Sequence, residues 1–458
     1  MEERIKQAIR DTVGAENFTD SLIDMVSYSY DASMHHHRPD GAAWPKDAAQ
    51  VQAIIKLANL EKFPVIPRGA GTGLSGMAVP EEGGLVLDLS RMKKIIDINL
   101  EDRVAVVEPG VVYAELEAAL APSGFFFPPD PASGKAATLG GNVSTNAGGV
   151  KGAKYGTTKD YVLGLKVVTG AGDLMKTGTR AIKSTSGLDL TKLFVGSEGI
   201  LGVVTEIILK INPKPTKTAT SLATFENLED AGRAVTRIMS SGIIPSVLEI
   251  LGREVLQAIN QNTDLNLPEV DAMLLAETDG YTQTEADFQM DKVMDVFRAN
   301  RAQEVQKAES AEQTAKLWAA RKSAYAVLAR LKPNFILEDI TVPMSRVAEM
   351  LKGVQNIAKD YNVQIATFGH AGDGNLHPQI IWDGSDRDAT ERVEKAAGKL
   401  FELAIELGGT LTGEHGIGLS KARYMTLEHD QYAMAAMRGI KKLFDPNNIL
   451  NPGKMGLN

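Results

Sequence analysis

Apolar and polar positions keep one rhythm up to about residue 214 and another beyond it. In the first part, short apolar runs at 63–66, 85–89, 94–99, 105–108, 163–169 and 203–211 read as strands, whereas 49–58 and 112–122 repeat at helical spacing. The opening MEERIKQAIRDTVG reads as a charged amphipathic helix within an N-terminal helical segment and loop spanning 1–40. Short strands flanking single helices predict an α+β unit, not a long parallel array. The stretch PKPTKT at 213–218 reads as a domain boundary. Past it, strands at 220–224, 246–250, 272–277, 336–342 and 364–368 interleave with helices at 228–240, 285–300, 311–331, 347–361 and 388–407. That alternation predicts an antiparallel sheet covered by helices on one side.

Two glycine-rich stretches interrupt the first part. FPVIPRGAGTGLSG at 63–76 runs from a strand into Gly69, Gly71, Gly73 and Gly76. Successive free N–H groups in such a loop form an anion-binding concavity, so a pyrophosphate is expected here. GTGLSG matches the dinucleotide fingerprint literally, but that fingerprint must open a helix, and the MAVPEEGG that follows, with Pro80 and Gly83-Gly84, does not. The second stretch, TLGGNVSTNAGG at 138–149, follows the rigid FPPDP at 127–131 and reads as a loop of backbone and hydroxyl donors, with Lys151, Lys154 and Lys159 after it. Two such stretches suit a ligand larger than one phosphate.

Composition narrows the class. A net charge of −9 gives no support for nucleic-acid binding. The absence of cysteine excludes disulfides and a thiolate-bound iron–sulfur cluster within this chain. The longest mostly apolar window, 193–211, carries Glu198, Glu206 and several glycines and does not read as a spanning helix. A cytoplasmic protein is expected, and peripheral contact at the inner face of a membrane is compatible with the sequence.

The sharpest chemistry lies near the end. In GHAGDGNLH, His370 and His377 flank a Gly-Asp-Gly-Asn turn, and a hairpin there brings the two imidazoles together. Glu414, in GEHGIG, is the candidate third ligand; two imidazoles and a carboxylate suit Zn²⁺ or another divalent transition metal. The triplet His35-His36-His37 has no ligand partner at suitable spacing and reads as a solvated loop. Between the two motifs, the helix at 388–407 buries a face of Val393, Ala396, Ala397, Leu400, Phe401, Ala404 and Ile405.

With DYVLGL at 160–165 and GSEGILG at 196–202, the glycine-rich stretches resemble the FAD-binding domain of the vanillyl-alcohol-oxidase/p-cresol-methylhydroxylase (PCMH) superfamily. The two histidine motifs, with FDPNNILNPG at 444–453, resemble the FAD-linked oxidase C-terminal domain of D-lactate dehydrogenases, glycolate oxidase flavoprotein subunits and D-2-hydroxyglutarate dehydrogenases. The resemblance implies an α+β protein: a two-subdomain PCMH-type FAD-binding domain (41–214), an α+β cap domain with an antiparallel sheet (215–412), and a C-terminal segment (413–458) returning to the FAD domain. It implies FAD contacts at Pro67, Arg68, Gly69, Ala70, Gly71, Thr72, Gly73, Ser75, Gly76, Pro129, Asp130, Gly140, Gly141, Ser144, Gly148, Gly149, Tyr155, Gly156, Glu198, Gly199, Gly202 and Asn451. Some members attach FAD through a first-loop histidine; this loop has none, so non-covalent FAD is expected.

The same resemblance implies a divalent metal (Zn, Fe or Mn) on His370, His377 and Glu414, His415 as base, Asn375 at the substrate, and Arg321 on the substrate carboxylate with Tyr325 beside it. A lysine that some members place before the Asp-x-x-x-Pro strand is missing from FILEDITVP at 335–343, which favours a small monocarboxylate. The expected activity is oxidation of a D-2-hydroxy acid, D-lactate first, to the 2-oxo acid. Glycolate or D-2-hydroxyglutarate is the alternative substrate, and a flavin-binding accessory subunit the non-enzymatic one. Electrons are expected to pass to an electron-transfer flavoprotein, an iron–sulfur subunit or a quinone, and a homodimer is compatible with the sequence.

Overall fold

The computed structural model describes residues 1–457, which divide into two compact units. The first comprises Met1–Gly148, Gly156–Lys214 and Glu414–Asn458; the second, Gly149–Tyr155 and Pro215–Gly413.

The first unit contains two principal sheets. In one, Val65–Arg68 and Gly41–Ala43 lie parallel to Leu85–Asp88 on either side, and Phe18–Thr19 closes the edge antiparallel. Parallel neighbours usually need a crossover helix. Here Val65–Arg68 and Leu85–Asp88 are joined by the glycine-rich segment 69–84, which contains no helix. The other sheet is antiparallel, ordered Ile95–Asn99, Val104–Val107, Gly202–Lys210, Val162–Thr169, Leu174–Gly178. A shared core joins Ile5, Ile9, Ile54, Val65, Leu85, Val168, Val203 and Leu450.

Residues 138–149 depart from the expected loop. Leu139–Thr145 is a short helix, capped by Thr138 Oγ1 accepting from Gly141 N–H at 3.2 Å. Its glycines serve close packing: a Cβ on Gly140 would come 2.6 Å from Pro109. His35 also departs from a solvated loop. It is half-buried, with Nε2 3.1 Å from Ser420 Oγ.

The C-terminal segment is held by backbone groups and buried ions. Val65 N–H donates to Ile449 O, and Asn451 N–H to Val65 O. Lys441 is buried, its ammonium satisfied by Ile200 O at 3.0 Å, Leu450 O at 2.8 Å and Asp445. Asp445 in turn accepts from the N–H groups of Ile449 and Leu450.

The second unit is built on an eight-stranded sheet in which every pairing is antiparallel. Its order is Glu304–Lys307, Lys217–Phe225, Ala272–Gly280, Val247–Gly252, Gln364–His370, Asn375–Trp382, Asn334–Leu337, with Ile340–Thr341 also pairing with Asn375–Trp382. Helices cover both faces, not one. Leu222, Leu251, Met273, Ala366 and Phe368 pack against helices Arg253–Asn262 and Ala311–Leu328. The opposite face takes helix Gln283–Ala299, whose Phe297 meets Phe225 edge-on. Because side chains alternate along a strand, both Leu222 and Phe225 can be fully committed to core. The strand expected at 336–342 is broken into Asn334–Leu337 and Ile340–Thr341. Between them Asp339 turns inward, accepting from Thr412 Oγ1 at 2.5 Å and Gly413 N–H at 2.9 Å.

One buried carboxylate of the first unit carries a measurable consequence. Glu198, at φ 51°, accepts from Ile417 N–H at 2.7 Å and Gly418 N–H at 2.8 Å. Burial pushes its pKa up to about 7, while those N–H donors, Lys454 and Lys421 pull it down. A carboxyl whose pKa folding raises from 4.5 stabilises the fold below the unfolded value and loses that contribution as pH climbs through 7. The melting-temperature advantage of wild type over Glu198→Gln should therefore shrink between about pH 5 and pH 8. A difference that stays constant with pH would contradict the environment described.

Candidate functional site

In the first unit, Gly69, Ala70, Gly71, Thr72 and Gly73 leave the strand Val65–Arg68 with N–H groups that donate to no backbone carbonyl among the described residues. Gly71 and Gly76 adopt φ of +69° and +77°, conformations that glycine takes without strain. A Cβ on Gly69 would come 2.2 Å from Thr138 Oγ1, so the first glycine-rich loop touches the cap of the helix carrying Gly140, Gly141 and Ser144. These two stretches, separate in sequence, meet in the fold. Such a cradle of unpaired amides fits a pyrophosphate.

Several side chains of the residues expected at the cofactor are hydrogen-bonded within the protein. Arg68 is buried, and its guanidinium donates to Tyr30 O and Ala78 O. The Ser75 hydroxyl lies 3.2 Å from His415 O and 3.0 Å from Gly416 O. Asn451 Nδ2 donates to Met77 O and Glu198 O, and the Glu198 carboxylate holds Ile417 and Gly418. Tyr155 belongs to the second unit, where its hydroxyl bonds Asp279 at 2.6 Å. Pro67 packs beside Gly199, Gly202 opens a strand against Val167, and a Cβ on Gly156 would strike Asp160. Pro129 is buried, Asp130 half-buried, and Gly149 has a positive φ of 135°. The contact of Ser75 has its own consequence: the backbone of His415 is tied to the first glycine-rich loop. A Cβ on Gly148 would lie 2.9 Å from Glu414 Oε2, so Glu414 sits against the second stretch.

In the second unit, the GHAGDGNLH segment forms the expected hairpin. Gln364–His370 pairs with Asn375–Trp382, His370 opposite Asn375 and Phe368 opposite His377. Gly374 makes the turn, with φ +81° and no room for a Cβ beside Val342 O. His370 and His377 are diagonal neighbours on one face, their rings nearly perpendicular with centroids 5.1 Å apart. Both are more than nine-tenths buried. Each imidazole is backed by a carboxylate: Glu249 Oε1 lies 2.6 Å from His370 Nδ1, and Asp339 Oδ1 lies 3.8 Å from His377 Nδ1. Burial would raise the Glu249 pKa, but His370 and Arg321 beside it hold the carboxyl below its ordinary range.

Arg321 comes from helix Ala311–Leu328, pairs through Nε with Glu249, and stacks 5.0 Å over the Phe368 ring. Tyr325, one turn on, lies edge-on to Phe335, and burial raises its pKa. Asn375 accepts from Thr341 Oγ1 at 3.1 Å. Gly413 packs on Asn375 and donates to Asp339, and the chain passes directly from it to Glu414. With Nδ1 of His370 turned to Glu249, Nε2 is the nitrogen it presents as a ligand atom. Two orthogonal buried imidazoles, each with an outer carboxylate, fit a divalent transition metal.

Nothing in the residue pattern singles out Glu249 and Asp339 as site residues. Their only signal was a lone carboxylate in the apolar VLEILG and acids within FILEDITV. Gln379 is a further omission: it lies two residues beyond His377 on the same strand face, fully buried, its amide without a partner among the described residues.

The pattern described as FAD binding domain matches residues 39–178, and that of FAD linked oxidases, C-terminal domain, matches 214–455. A glycolate oxidase subunit GlcD of Bacillus subtilis is 45% identical across 98% of this chain and 96% of its own length. The mitochondrial D-lactate dehydrogenase [cytochrome] of Arabidopsis thaliana is 33% identical across 95% of this chain and 78% of its own. In fold, p-cresol methylhydroxylase superposes with a TM-score of 0.81 at 20% identity, covering 99% of this chain and 96% of that one. No described helix is long and apolar enough to cross a membrane. The chain belongs to the FAD-linked oxidases, as an FAD-linked oxidoreductase related to glycolate oxidase subunits and D-lactate dehydrogenases.

Proposed function

We propose that this protein oxidises a small D-2-hydroxy acid, D-lactate first and glycolate next, to the corresponding 2-oxo acid. The observation that carries this reading is the hairpin that sets His370 and His377 perpendicular at 5.1 Å, buried and backed by Glu249 and Asp339. His370, His377 and Glu414 are the residues we assign to a divalent cation, which when bound supplies Lewis acidity towards a hydroxyl and a carboxylate oxygen. The amides of residues 69–73 are assigned to the pyrophosphate of FAD, which when bound supplies the acceptor for the α-hydrogen and its electron pair.

The chain's own side chains do the rest. His415 takes the proton of the substrate hydroxyl, general-base work suited to an imidazole. The tie from Ser75 to its carbonyl fixes that residue relative to the flavin loop. Arg321 offers a planar fork to the substrate carboxylate. Asn375, whose Oδ1 accepts from Thr341, is assigned to orient the substrate through its amide. Tyr325, four residues on in the same helix, shares the face that carries Arg321. Related proteins named as a subunit or as a [cytochrome] enzyme support a partner that takes the electrons onward, an electron-transfer flavoprotein, iron–sulfur subunit or quinone.

Anaerobic addition of D-lactate to the metal-replete protein should bleach the flavin, and L-lactate should not. A yellow protein left unbleached by D-lactate, glycolate and D-2-hydroxyglutarate would overturn the reading. His415→Ala should slow flavin reduction roughly a hundredfold or more while FAD stays bound; an unchanged rate in stopped flow removes His415 from proton transfer.

A further inference from the structure

We propose that Glu249 is a positioning residue that sets the metal-facing nitrogen of His370 and the substrate-facing edge of Arg321 at once. The inference rests on the roles just proposed for those two residues and goes beyond them. Glu249 lies in the middle of the strand Val247–Gly252 and is completely buried. One oxygen, Oε1, meets His370 Nδ1 at 2.6 Å; the other, Oε2, takes Arg321 Nε. An ionised carboxylate only accepts hydrogen bonds. In its neutral form His370 must therefore carry its proton on Nδ1, which leaves Nε2 with a lone pair, the form a metal ligand requires.

The same carboxylate engages Arg321 on its Nε side. That turns the other edge of the guanidinium, with its two terminal nitrogens, away from Glu249. The Phe368 ring beneath it fixes the plane of the fork. Three separate elements meet at this one side chain: the strand that bears it, the hairpin that bears His370 and the helix that bears Arg321. A change at Glu249 is therefore felt at two points that a substrate would touch together.

A plain structural ion pair makes a different forecast. Glutamine has the same shape but offers one acceptor oxygen and one donor NH₂. It can keep Arg321 or His370 in register, but not both. If it keeps Arg321, its NH₂ faces Nδ1 and drives the His370 proton to Nε2. If it keeps His370, the NH₂ opposes Arg321 Nε–H.

Glu249→Gln, prepared as the FAD-loaded protein, should bind Mn²⁺ about 10- to 100-fold more weakly in equilibrium dialysis. At saturating Mn²⁺ its KM for D-lactate should rise roughly tenfold, more than kcat falls, with FAD content unchanged. A folded Glu249→Gln protein with unaltered Mn²⁺ affinity and KM overturns the proposal. Should that variant not fold, the imidazole ¹⁵N shifts of metal-free wild type at pH 8 decide: His370 is expected as the Nδ1–H tautomer, and an Nε2–H tautomer overturns the proposal. Wild type that binds no Mn²⁺ removes the metal reading and the role of Glu249 with it. Wild type that binds Mn²⁺ but oxidises none of the acids refutes the proposed activity alone, and the dialysis and ¹⁵N results then decide the place of Glu249.

Discussion

Two buried carboxylates beside two buried imidazoles are what the second unit is arranged around. Glu249 and Asp339 are both completely shielded from solvent, and a carboxylate so placed is costly unless it is paired and hydrogen-bonded. Glu249 is matched by Arg321 and His370; Asp339 is matched by Thr412 Oγ1, Gly413 N–H and the nearby ring of His377. Meeting those requirements explains otherwise odd local features. The strand after residue 337 breaks so that Asp339 can turn in, and glycine stands at 374 and 413, where the backbone or Asn375 leaves no space for a side chain.

The first unit solves a different problem, that of holding a half-buried run of backbone donors in place. Its glycine loop has few side chains to pack, so rigidity comes from neighbours. Thr138 abuts Gly69, Ser75 ties to residues 415 and 416, and Leu419 N–H donates back to Ser75 O. Glu198 and Asn451 complete the attachment by gripping Ile417, Gly418 and Met77. The segment after residue 413 is thereby tied, through backbone groups, to the loop assigned to the pyrophosphate.

Much of this was legible in the order of residues. Strand and helix spacing located most elements within a few positions, and the Gly-Asp-Gly-Asn turn placed His370 and His377 together on a hairpin. What periodicity could not show was which face of the sheet each helix takes. Leu222 and Phe225 are both apolar, and only the fold assigns them to opposite sides. Nor could it show that Arg68, Ser75 and Glu198 spend their side chains on neighbouring backbone. Glycine in 138–149 suggested an open loop, yet Gly140 is there because Pro109 is close. Glu249 stayed hidden for the same reason: a lone acid in an apolar strand gains its meaning from partners at 321 and 370.

The assignment of a divalent cation to the histidine hairpin is tested most directly by pulsed electron paramagnetic resonance of the Mn²⁺-loaded protein. Two directly coordinated imidazole nitrogens should couple to the metal, and one of them should vanish in His377→Ala. Mn²⁺ that shows no histidine nitrogen coupling in the wild-type protein would contradict the assignment.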